Sequence, residues 1–240
     1  MKRIFLISLL SVGWSLSALG ALYDYSGTFS GGASQNGGAI PNGNLNGWSE
    51  TVNVSGMVPT IASVTVTVNL SASASAYNGD LYAYITDGNG TAILLNRIGV
   101  GSSDPFGNSG SGMNVTFSTG GTDIHLAPYG YVTGTYGPDG RAISPLSSPS
   151  AFDAPGTEGL TGFNGTDPNA NWTLFIADPV SGGDNFSVVS WGLTIDAVPE
   201  PTNSWMPRTR PNGPATSAKW SRYSAGSGLS PSSSRRQNSS

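Results

Sequence analysis

Cysteine is absent from the 240 residues, and His125 is the only histidine. Without cysteine no disulfide can cross-link the chain, so its stability must come from a packed core, with or without the help of bound ions. One histidine without cysteine also argues against zinc, whose protein sites are built mainly from imidazole and thiolate ligands. His125 is therefore the only residue that could act as a histidine base in catalysis.

Basic residues are nearly absent from the middle of the chain. From Asp24 to Glu200 there are fourteen carboxylates against two arginines, Arg97 and Arg141, which is a net charge of −12. The segment after Glu200 carries six basic residues and no acid, a charge of +6. A body this acidic repels nucleic acid and anionic membranes, because phosphate binding needs clustered Lys and Arg. It suits divalent cations, although acidity also simply keeps an exported protein soluble.

Long hydrophobic runs are missing except near the start. Lys2-Arg3 precedes the apolar run Ile4 to Leu10, which continues weakly to Leu19 and is interrupted by serines. A charged head, a short apolar middle and small residues at Ala18-Leu19-Gly20 predict a secretory signal peptide over residues 1–20. The alternative is a membrane anchor, but the run is short of the roughly 20 apolar residues that a bilayer requires. We therefore expect a secreted or cell-envelope protein without a stable membrane span, and disulfide-free exported domains of this kind are typical of bacteria.

No long segment shows the 3.6-residue period of an amphipathic helix, whereas alternation of apolar and polar residues recurs. In Ile61 to Leu70, Val64, Val66 and Val68 point one way and the threonines between them the other, which predicts a half-buried strand. Frequent Asn-Gly pairs and 34 glycines supply turns between the strands. Several short strands with turns between them predict an all-β sandwich. The predicted strands are 48–55, 61–70, 81–86, 92–95, 113–117, 172–177 and 186–196.

A spaced set of landmarks runs through residues 38–197. The landmarks are Ile40-Pro41, Val54-Ser55-Gly56, Tyr77-Asn78-Gly79-Asp80-Leu81, Phe163-Asn164-Gly165, Trp172-Thr173-Leu174 with Asp178, Gly183-Asp184 and Trp191-Gly192-Leu193-Thr194-Ile195. Their order and spacing resemble the P domain (P/Homo B domain), the module that follows the subtilisin-like catalytic domain of kexin/furin-type proprotein convertases. The resemblance implies a jelly-roll-like β-sandwich. Residues 21–37, rich in Gly and Ser with scattered aromatics, are expected to precede it as an extended lead-in. The resemblance also implies that Trp172 and Trp191 are buried, and Trp48 is most simply read as core too.

The resemblance implies a function, but the catalytic motifs of a subtilisin-like protease are missing from this sequence. P domains stabilise and assist an adjoining protease, so a stand-alone one could act in trans on a separate protease. The context of His125, Asp123-Ile124-His125-Leu126, lacks the His-Gly-Thr of a subtilisin base, and no Gly-Thr-Ser-Met-Ala nucleophile motif occurs. We expect no catalytic residues and read His125 as structural or exposed. Family association alone would assign this chain to a serine endopeptidase system.

Calcium is the inorganic ligand that the sequence favours, because it takes 6 to 8 oxygen ligands from carboxylates, carbonyls and Asn side chains. The candidate ligands are Asp80, Asp123, Asp178 and Asp184. Asp80 and Asp184 match Gly-Asp steps of the P-domain pattern. The family's Phe-Asp-Asp is replaced here by Phe117-Ser118-Thr119, so two carboxylates of that pattern are missing. Asp87, in Asp-Gly-Asn-Gly, is better read as a turn residue that bonds its own backbone.

Two tyrosines suggest a second kind of ligand. Tyr82 and Tyr84 are two residues apart on one predicted strand and therefore share a face. Exposed aromatic rings on a rigid sheet can stack on sugars, so these residues are candidates for binding an extracellular polysaccharide. The alternative is a sandwich face that loops partly cover. Tyr129, Tyr131 and Tyr136 cluster in a Gly-rich segment.

The C-terminal segment, 198–240, differs in composition from the rest. It begins Val198-Pro199-Glu200-Pro201-Thr202, which resembles the start of a PEP-CTERM sorting signal read by exosortases. The hydrophobic span of such a signal is missing, although Arg235-Arg236 supplies its basic end. We expect a disordered basic tail, because it has too little apolar area to offset ordering entropy. Either a shifted reading frame after Thr202 or a natural basic linker would account for it.

These observations predict an exported, non-catalytic P-domain protein that binds, scaffolds or assists a protease at the cell envelope. A module that binds carbohydrate or extracellular matrix is the alternative, because of Tyr82 and Tyr84 and because exosortase systems accompany exopolysaccharide production.

Overall fold

The computed structural model describes residues 38–182 and 185–199, together with the backbone of 21–28. No α-helix occurs in these residues, and none of their helices is long and apolar enough to cross a membrane. Short 3₁₀ helices lie at Asn78–Asp80, Ile124–Leu126, Pro149–Asp153 and Leu160–Phe163. The strands are β1 Ala21–Thr28, β2 Ala39–Ile40, β3 Asn44–Asn53, β4 Thr60–Ala72, β5 Tyr82–Thr86, β6 Thr91–Asn96, β7 Gly112–Asp123, β8 Val132–Gly137, β9 Asn171–Asp178 and β10 Phe186–Val198.

The strands form two sheets that face each other. The first has the order β1-β10-β4-β7-β8, with β2 also paired to β10, and the second has the order β3-β9-β5-β6. All pairs are antiparallel except β7 with β8. Neighbours in each sheet are mostly distant in sequence, so the chain crosses repeatedly between the two layers. The predicted all-β sandwich is confirmed.

The core lies between the two sheets and follows the alternation seen in the sequence. On β4, Val64, Val66 and Val68 are at most 1% exposed, and they pair in register with apolar residues of β10. The tryptophans Trp48, Trp172 and Trp191 are also buried, as predicted. Because indole N–H groups need an acceptor when buried, the Nε1 atom of Trp172 donates to Pro168 O at 2.9 Å.

The turn predicted at Asp87 is confirmed, and it joins two neighbouring strands in a hairpin. Strands β5 and β6 pair from Tyr82↔Asn96 to Thr86↔Thr91. The Asp87 carboxylate accepts hydrogen bonds from the amides of Asn89 (2.8 Å) and Gly90 (2.6 Å), which is the local turn role predicted for it.

Two strands of six or more residues lie outside the strands that the sequence predicted. Residues 21–28, part of the expected lead-in, pair with β10 from Ala21↔Ala197 to Thr28↔Ser190. Residues 132–137 form β8, which pairs in parallel with β7. Strand β8 is mostly exposed and rich in Gly and Thr, so it lacks the apolar alternation that reveals a strand.

Candidate functional site

Three loops meet beside the starts of β5, β7 and β8. They comprise residues 77–81, 98–112 and 127–131, and we call them the loop cluster. The fully buried Asn78 ties the first loop to the other two. Its Nδ2 donates to Gly112 O (3.0 Å) and Gly130 O (3.3 Å), and its Oδ1 accepts from the Gly112 amide at 2.9 Å. A buried amide with these three bonds holds the loops in one arrangement.

A second buried asparagine repeats this role within the loop cluster. The Asn108 Nδ2 atom donates to Pro128 O at 2.7 Å, while its Oδ1 accepts from the Gly110 amide at 2.8 Å. The approach is so close that a Cβ at Gly110 would lie 1.6 Å from Gly130 O, so this position accepts only glycine. The loop cluster is therefore rigidly built although it contains little regular structure.

Large aromatic side chains point away from this framework into solvent. Phe106 is 70% exposed, Tyr129 63% and Tyr131 55%, and Tyr77 is partly exposed beside them. The Tyr129 hydroxyl donates a short hydrogen bond to the Asp104 carboxylate. This bond raises the pKa of Tyr129 and, together with the Gly107 amide, lowers the pKa of Asp104. Exposed aromatic groups on a fixed framework are typical of a binding surface.

A pocket of about 260 Å³ opens next to these side chains. Arg97 contacts the lining residue Asp80, with Nη2 3.9 Å from Asp80 Oδ1, and its Nε donates to Gly79 O at 2.9 Å. Burial lowers the pKa of Arg97, and the carboxylates of Asp80 and Asp178 oppose that shift. The pocket is lined by Ser75, Tyr77, Asp80, Phe106, Val180, Ser181 and Gly182.

The predicted calcium ligands are brought together only in part. Asp80 and Asp178 lie close enough for both to act on Arg97, and Asp178 is fully buried, with Oδ1 accepting from the Val180 amide at 3.2 Å. Asp123 instead pairs with Arg141, and Asp184 lies outside the described residues. In residues 38–182 and 185–199, no three His, Asp or Glu side chains group as a metal site would require. Calcium binding stays a prediction.

His125 is buried, and both of its ring nitrogens have partners. Nδ1 lies 2.8 Å from Asp139 Oδ2, and Nε2 lies 2.9 Å from the carbonyl oxygen of Val100. The ring also stacks on Phe152, with the two ring planes 8° apart. The sequence left open whether His125 is structural or exposed, and these contacts assign it a structural place.

The carboxylate beside His125 belongs to a larger buried charge network. Asp139 Oδ1 lies 3.2 Å from Arg141 Nη1, which also contacts Asp123 Oδ2 at 3.1 Å. The Nε atom of Arg141 donates to Phe152 O at 3.0 Å. Because each buried charge faces an opposite charge or a hydrogen-bond partner, the network can be held out of water. It fastens the segment after β8 to the end of β7.

Tyr82 and Tyr84 do share one face, on the solvent side of the β3-β9-β5-β6 sheet. Both are half-buried, and Phe175 of β9 joins them, stacked on Tyr84 with ring centroids 4.9 Å apart. The Tyr82 ring lies 6.0 Å from that of Tyr84. Burial, with a smaller contribution from Tyr84, raises the pKa of Tyr82. We call Tyr82, Tyr84 and Phe175 the aromatic face.

Several residues of these sites could not be identified from the sequence. Arg97 is the only non-glycine residue with a positive φ (54°) among those described, and nothing in its local sequence indicates this. Asn108 and Asp139 act across 14 to 20 residues of chain, which no short motif reports. Phe175 could have been added to Tyr82 and Tyr84, because its alternation on the predicted strand 172–177 places it opposite the buried Trp172 and Leu174.

Comparison with known proteins gives no family for this chain. No family model matches the sequence, and no curated protein matches it. Among solved structures, the serine protease of Aeromonas sobria in complex with a chaperone is similar, with 16% identity and a TM-score of 0.39 over 75% of this chain. A second structure of the same protease gives 15% identity and a TM-score of 0.39 over 74% of this chain. The match covers 27% of each of those chains.

Proposed function

We propose that this chain is an exported, non-catalytic module of the P-domain type, which binds a protein partner at the cell envelope and assists a separate protease. The P-domain part rests on the sequence landmarks between Ile40 and Ile195. The observation that carries the non-catalytic part is the arrangement of His125.

A serine-type triad needs an imidazole whose Nε2 faces a nucleophile while Nδ1 is held by a carboxylate. His125 has the carboxylate, from Asp139, but its Nε2 faces the backbone carbonyl of Val100 at 2.9 Å. A carbonyl oxygen offers no proton to abstract. Since the chain contains no second histidine and no cysteine, this arrangement supports binding rather than hydrolysis.

The loop cluster is the surface that best supports a protein-binding role. Phe106 and Tyr131 are exposed, and Asn78 and Asn108 fix the loops that carry them. A preformed surface loses little conformational entropy on binding, so its exposed rings can contribute to affinity. The net charge of −12 from Asp24 to Glu200 favours a partner with basic groups.

Two measurements test this proposal. The purified protein is incubated with casein and with a fluorophosphonate that labels activated serines, and we expect neither turnover nor labelling. Co-expression with a subtilisin-like protease from the same genome should then raise the yield of active protease. The double variant Phe106→Ala/Tyr131→Ala should lose that gain, whereas Leu146→Ala, another exposed apolar position outside the loop cluster, should keep it. Turnover by the chain alone, or an unchanged protease yield, would refute the proposal.

Carbohydrate binding is the second candidate, because the aromatic face is continuous across two strands. Tyr82, Tyr84 and Phe175 lie within 6.5 Å of one another, measured between ring centroids. A glycan array tests this candidate directly. Tyr82→Ala/Tyr84→Ala should abolish binding, and Thr86→Ala, further along the same strand face, should preserve it. Binding that survives the double variant would remove the aromatic face from the explanation.

Export and sorting complete the proposal. The signal peptide at 1–20 and the sorting motif from Glu200 onward lie outside the described residues. Mass spectrometry of the protein recovered from its host should find an N-terminus at Ala21 or Leu22, which follow the expected cleavage sites. A mature chain that retains Met1 would contradict export by this route.

A further inference from the structure

The pocket beside the loop cluster combines a carboxylate with aromatic walls. Asp80 lies on its wall and is 7% exposed, while Tyr77 and Phe106 supply ring surface. Its volume, about 260 Å³, falls just below the roughly 300 Å³ at which pockets for drug-sized ligands begin. The pocket is therefore of a size for one extended side chain.

The charges around the pocket favour a cation. Asp80 and Asp178 contribute two carboxylates, and Arg97 contributes one guanidinium, 3.9 Å from Asp80. These three groups carry a formal net charge of −1, inside a body whose net charge is −12. An anionic ligand would meet repulsion from both the pocket and the protein around it.

The residues that line the pocket favour an organic cation over a metal ion. A calcium ion takes 6 to 8 oxygen ligands, whereas Asp80 is the single carboxylate among the lining residues within 38–182 and 185–199. An ammonium or guanidinium group on an aliphatic stem has different needs. Its stem packs on apolar surface, its charge is attracted to the face of an aromatic ring, and it forms a charge-assisted hydrogen bond with a carboxylate.

We propose that this pocket accepts the cationic end of a lysine or arginine side chain presented by the protein partner. The inference rests on the proposed binding function and names the group that the partner inserts. The exposed ring of Phe106 packs along the side chain and attracts its charge through the ring face, while the carboxylate of Asp80 receives the charged head.

The pocket is fixed before any ligand arrives. A Cβ placed at Gly79 would lie 2.3 Å from Phe106 O and 3.0 Å from the Asn108 amide nitrogen, so the loops that carry Asp80 and Phe106 pack without a gap. Near the lining residue Val180, whose amide donates to Asp178 Oδ1 at 3.2 Å, Asp178 Oδ2 accepts from Asn42 Nδ2 at 3.4 Å. Such preorganisation lowers the entropic cost of binding.

The test is an NMR titration of the full chain with blocked amino acids. The probes are the N-acetyl methylamides of lysine and arginine, and the control is that of norleucine, which has the stem without the charge. We expect saturable shifts at the Asp80 and Phe106 amides with one or both cationic probes and none with norleucine. Comparison of the lysine and arginine probes identifies which side chain the pocket prefers.

Two variants locate the binding. Asp80→Asn should weaken it at least tenfold, since it removes the charge and keeps the shape. Phe106→Ala should weaken it about threefold, as expected for an exposed cation–π contact. Phe106 is 70% exposed, so this variant remains informative if Asp80→Asn fails to fold. Asp167→Asn, a change at an exposed carboxylate that is not among the lining residues, is the matched control and should bind as the wild type does.

Several results would overturn the inference. They are equal binding of norleucine, no binding of either cationic probe, binding unaffected by both variants, and shifts that calcium alone produces. None of them decides the proposed function, which is judged by fluorophosphonate labelling and by protease yield. Conversely, the chain could bind lysine or arginine without raising protease yield. That result would support the proposed role of the pocket and refute the protease-assisting role.

Discussion

The Nδ1 atom of His125 and the Oδ2 atom of Asp139 lie 2.8 Å apart in the protein interior. With the bond from His125 Nε2 to Val100 O, this contact joins three segments: the turn after β7, the segment after β8 and the loop after β6. Arg141 binds the second oxygen of the same carboxylate. The histidine is therefore part of the scaffold that supports the loops, and its removal has structural consequences.

The first prediction concerns Asp139, which contacts both His125 and Arg141. Asp139→Ala should lower the free energy of unfolding by about 3 kcal/mol, because it leaves buried donors without their carboxylate. Urea denaturation measures the change. Glu158→Gln, at an exposed carboxylate, should have little effect. A loss of stability below about 0.5 kcal/mol would mean that the network is not a structural element.

The second prediction concerns Asn78. Asn78→Ala removes three hydrogen bonds to the Gly112 and Gly130 backbones and should cost about 2 kcal/mol of unfolding free energy. Hydrogen exchange of the Gly112 amide should accelerate, because its acceptor is lost. Asn53→Ala, which breaks an exposed side-chain pair with Asn171, is the control and should leave Gly112 unchanged. Equal exchange in both variants would contradict the role assigned to Asn78.

The third prediction is a pH effect at the surface. The Asp104 carboxylate raises the pKa of Tyr129, so the protonated phenol is favoured in the folded state. The stabilisation is full below the ordinary tyrosine pKa of about 10 and is lost as the pH rises through the folded value. The tyrosinate absorbance lost in Tyr129→Phe should therefore titrate above pH ~10. Asp104→Asn should lower the pH at which Tyr129 titrates. An unchanged titration would show that Tyr129 and Asp104 do not form the hydrogen bond.

The fourth prediction concerns the backbone beneath the aromatic face. Gly47 has φ +57°, and a Cβ there would lie 2.4 Å from Ile176 O and 2.7 Å from Phe175 Cζ. Gly47→Ala should cost about 2 kcal/mol or more, since it combines an unfavourable φ with a clash. Gly56→Ala is a matched control, because Gly56 has φ +78° and a Cβ there would meet no atom within 4 Å. Its loss of stability measures the cost of the unfavourable φ without a clash. Equal thermal stability of the two variants would contradict the close packing of Gly47.

The fifth prediction tests calcium at Asp80 and Asp178, the alternative to the side-chain cation proposed for the pocket that Asp80 lines. If the ion binds there, added calcium should raise Tm in a concentration-dependent way, since a ligand of the native state stabilises it. EDTA should reverse the effect, and Asp178→Asn should abolish it. Asp123→Asn should not abolish it, because Asp123 pairs with Arg141. A Tm that neither calcium nor EDTA changes would remove calcium from the account.

The β-sandwich could be predicted from the sequence because its buried strands show an alternation of apolar and polar residues. Alternation at Val64, Val66 and Val68 follows directly from one face being in the core. Strand β8 gives no such signal, since Gly and Thr make up most of it and Val132 is its single buried aliphatic side chain. Strand order also stayed undetermined, because alternation identifies a strand's buried face and not its neighbour.

The sites were less accessible than the fold. Tyr82 and Tyr84 could be placed together because two residues on one strand share a face. Asp80 and Asp178 are two of the four calcium ligands that the sequence suggests, but their relation to Arg97 depends on the packing of β5, β6 and β9. Such contacts between distant parts of the chain arise from tertiary structure, and a single sequence contains no local pattern for them.

Chemical modification of His125 tests the central claim most directly. Diethyl pyrocarbonate acylates accessible imidazole nitrogens, and with one histidine in the chain the modified site is unambiguous by mass spectrometry. The account predicts that native protein is protected, because both ring nitrogens are hydrogen-bonded and the residue is 7% exposed, and that modification follows unfolding in urea. Rapid modification of the native protein, accompanied by loss of a proteolytic activity, would contradict a non-catalytic module.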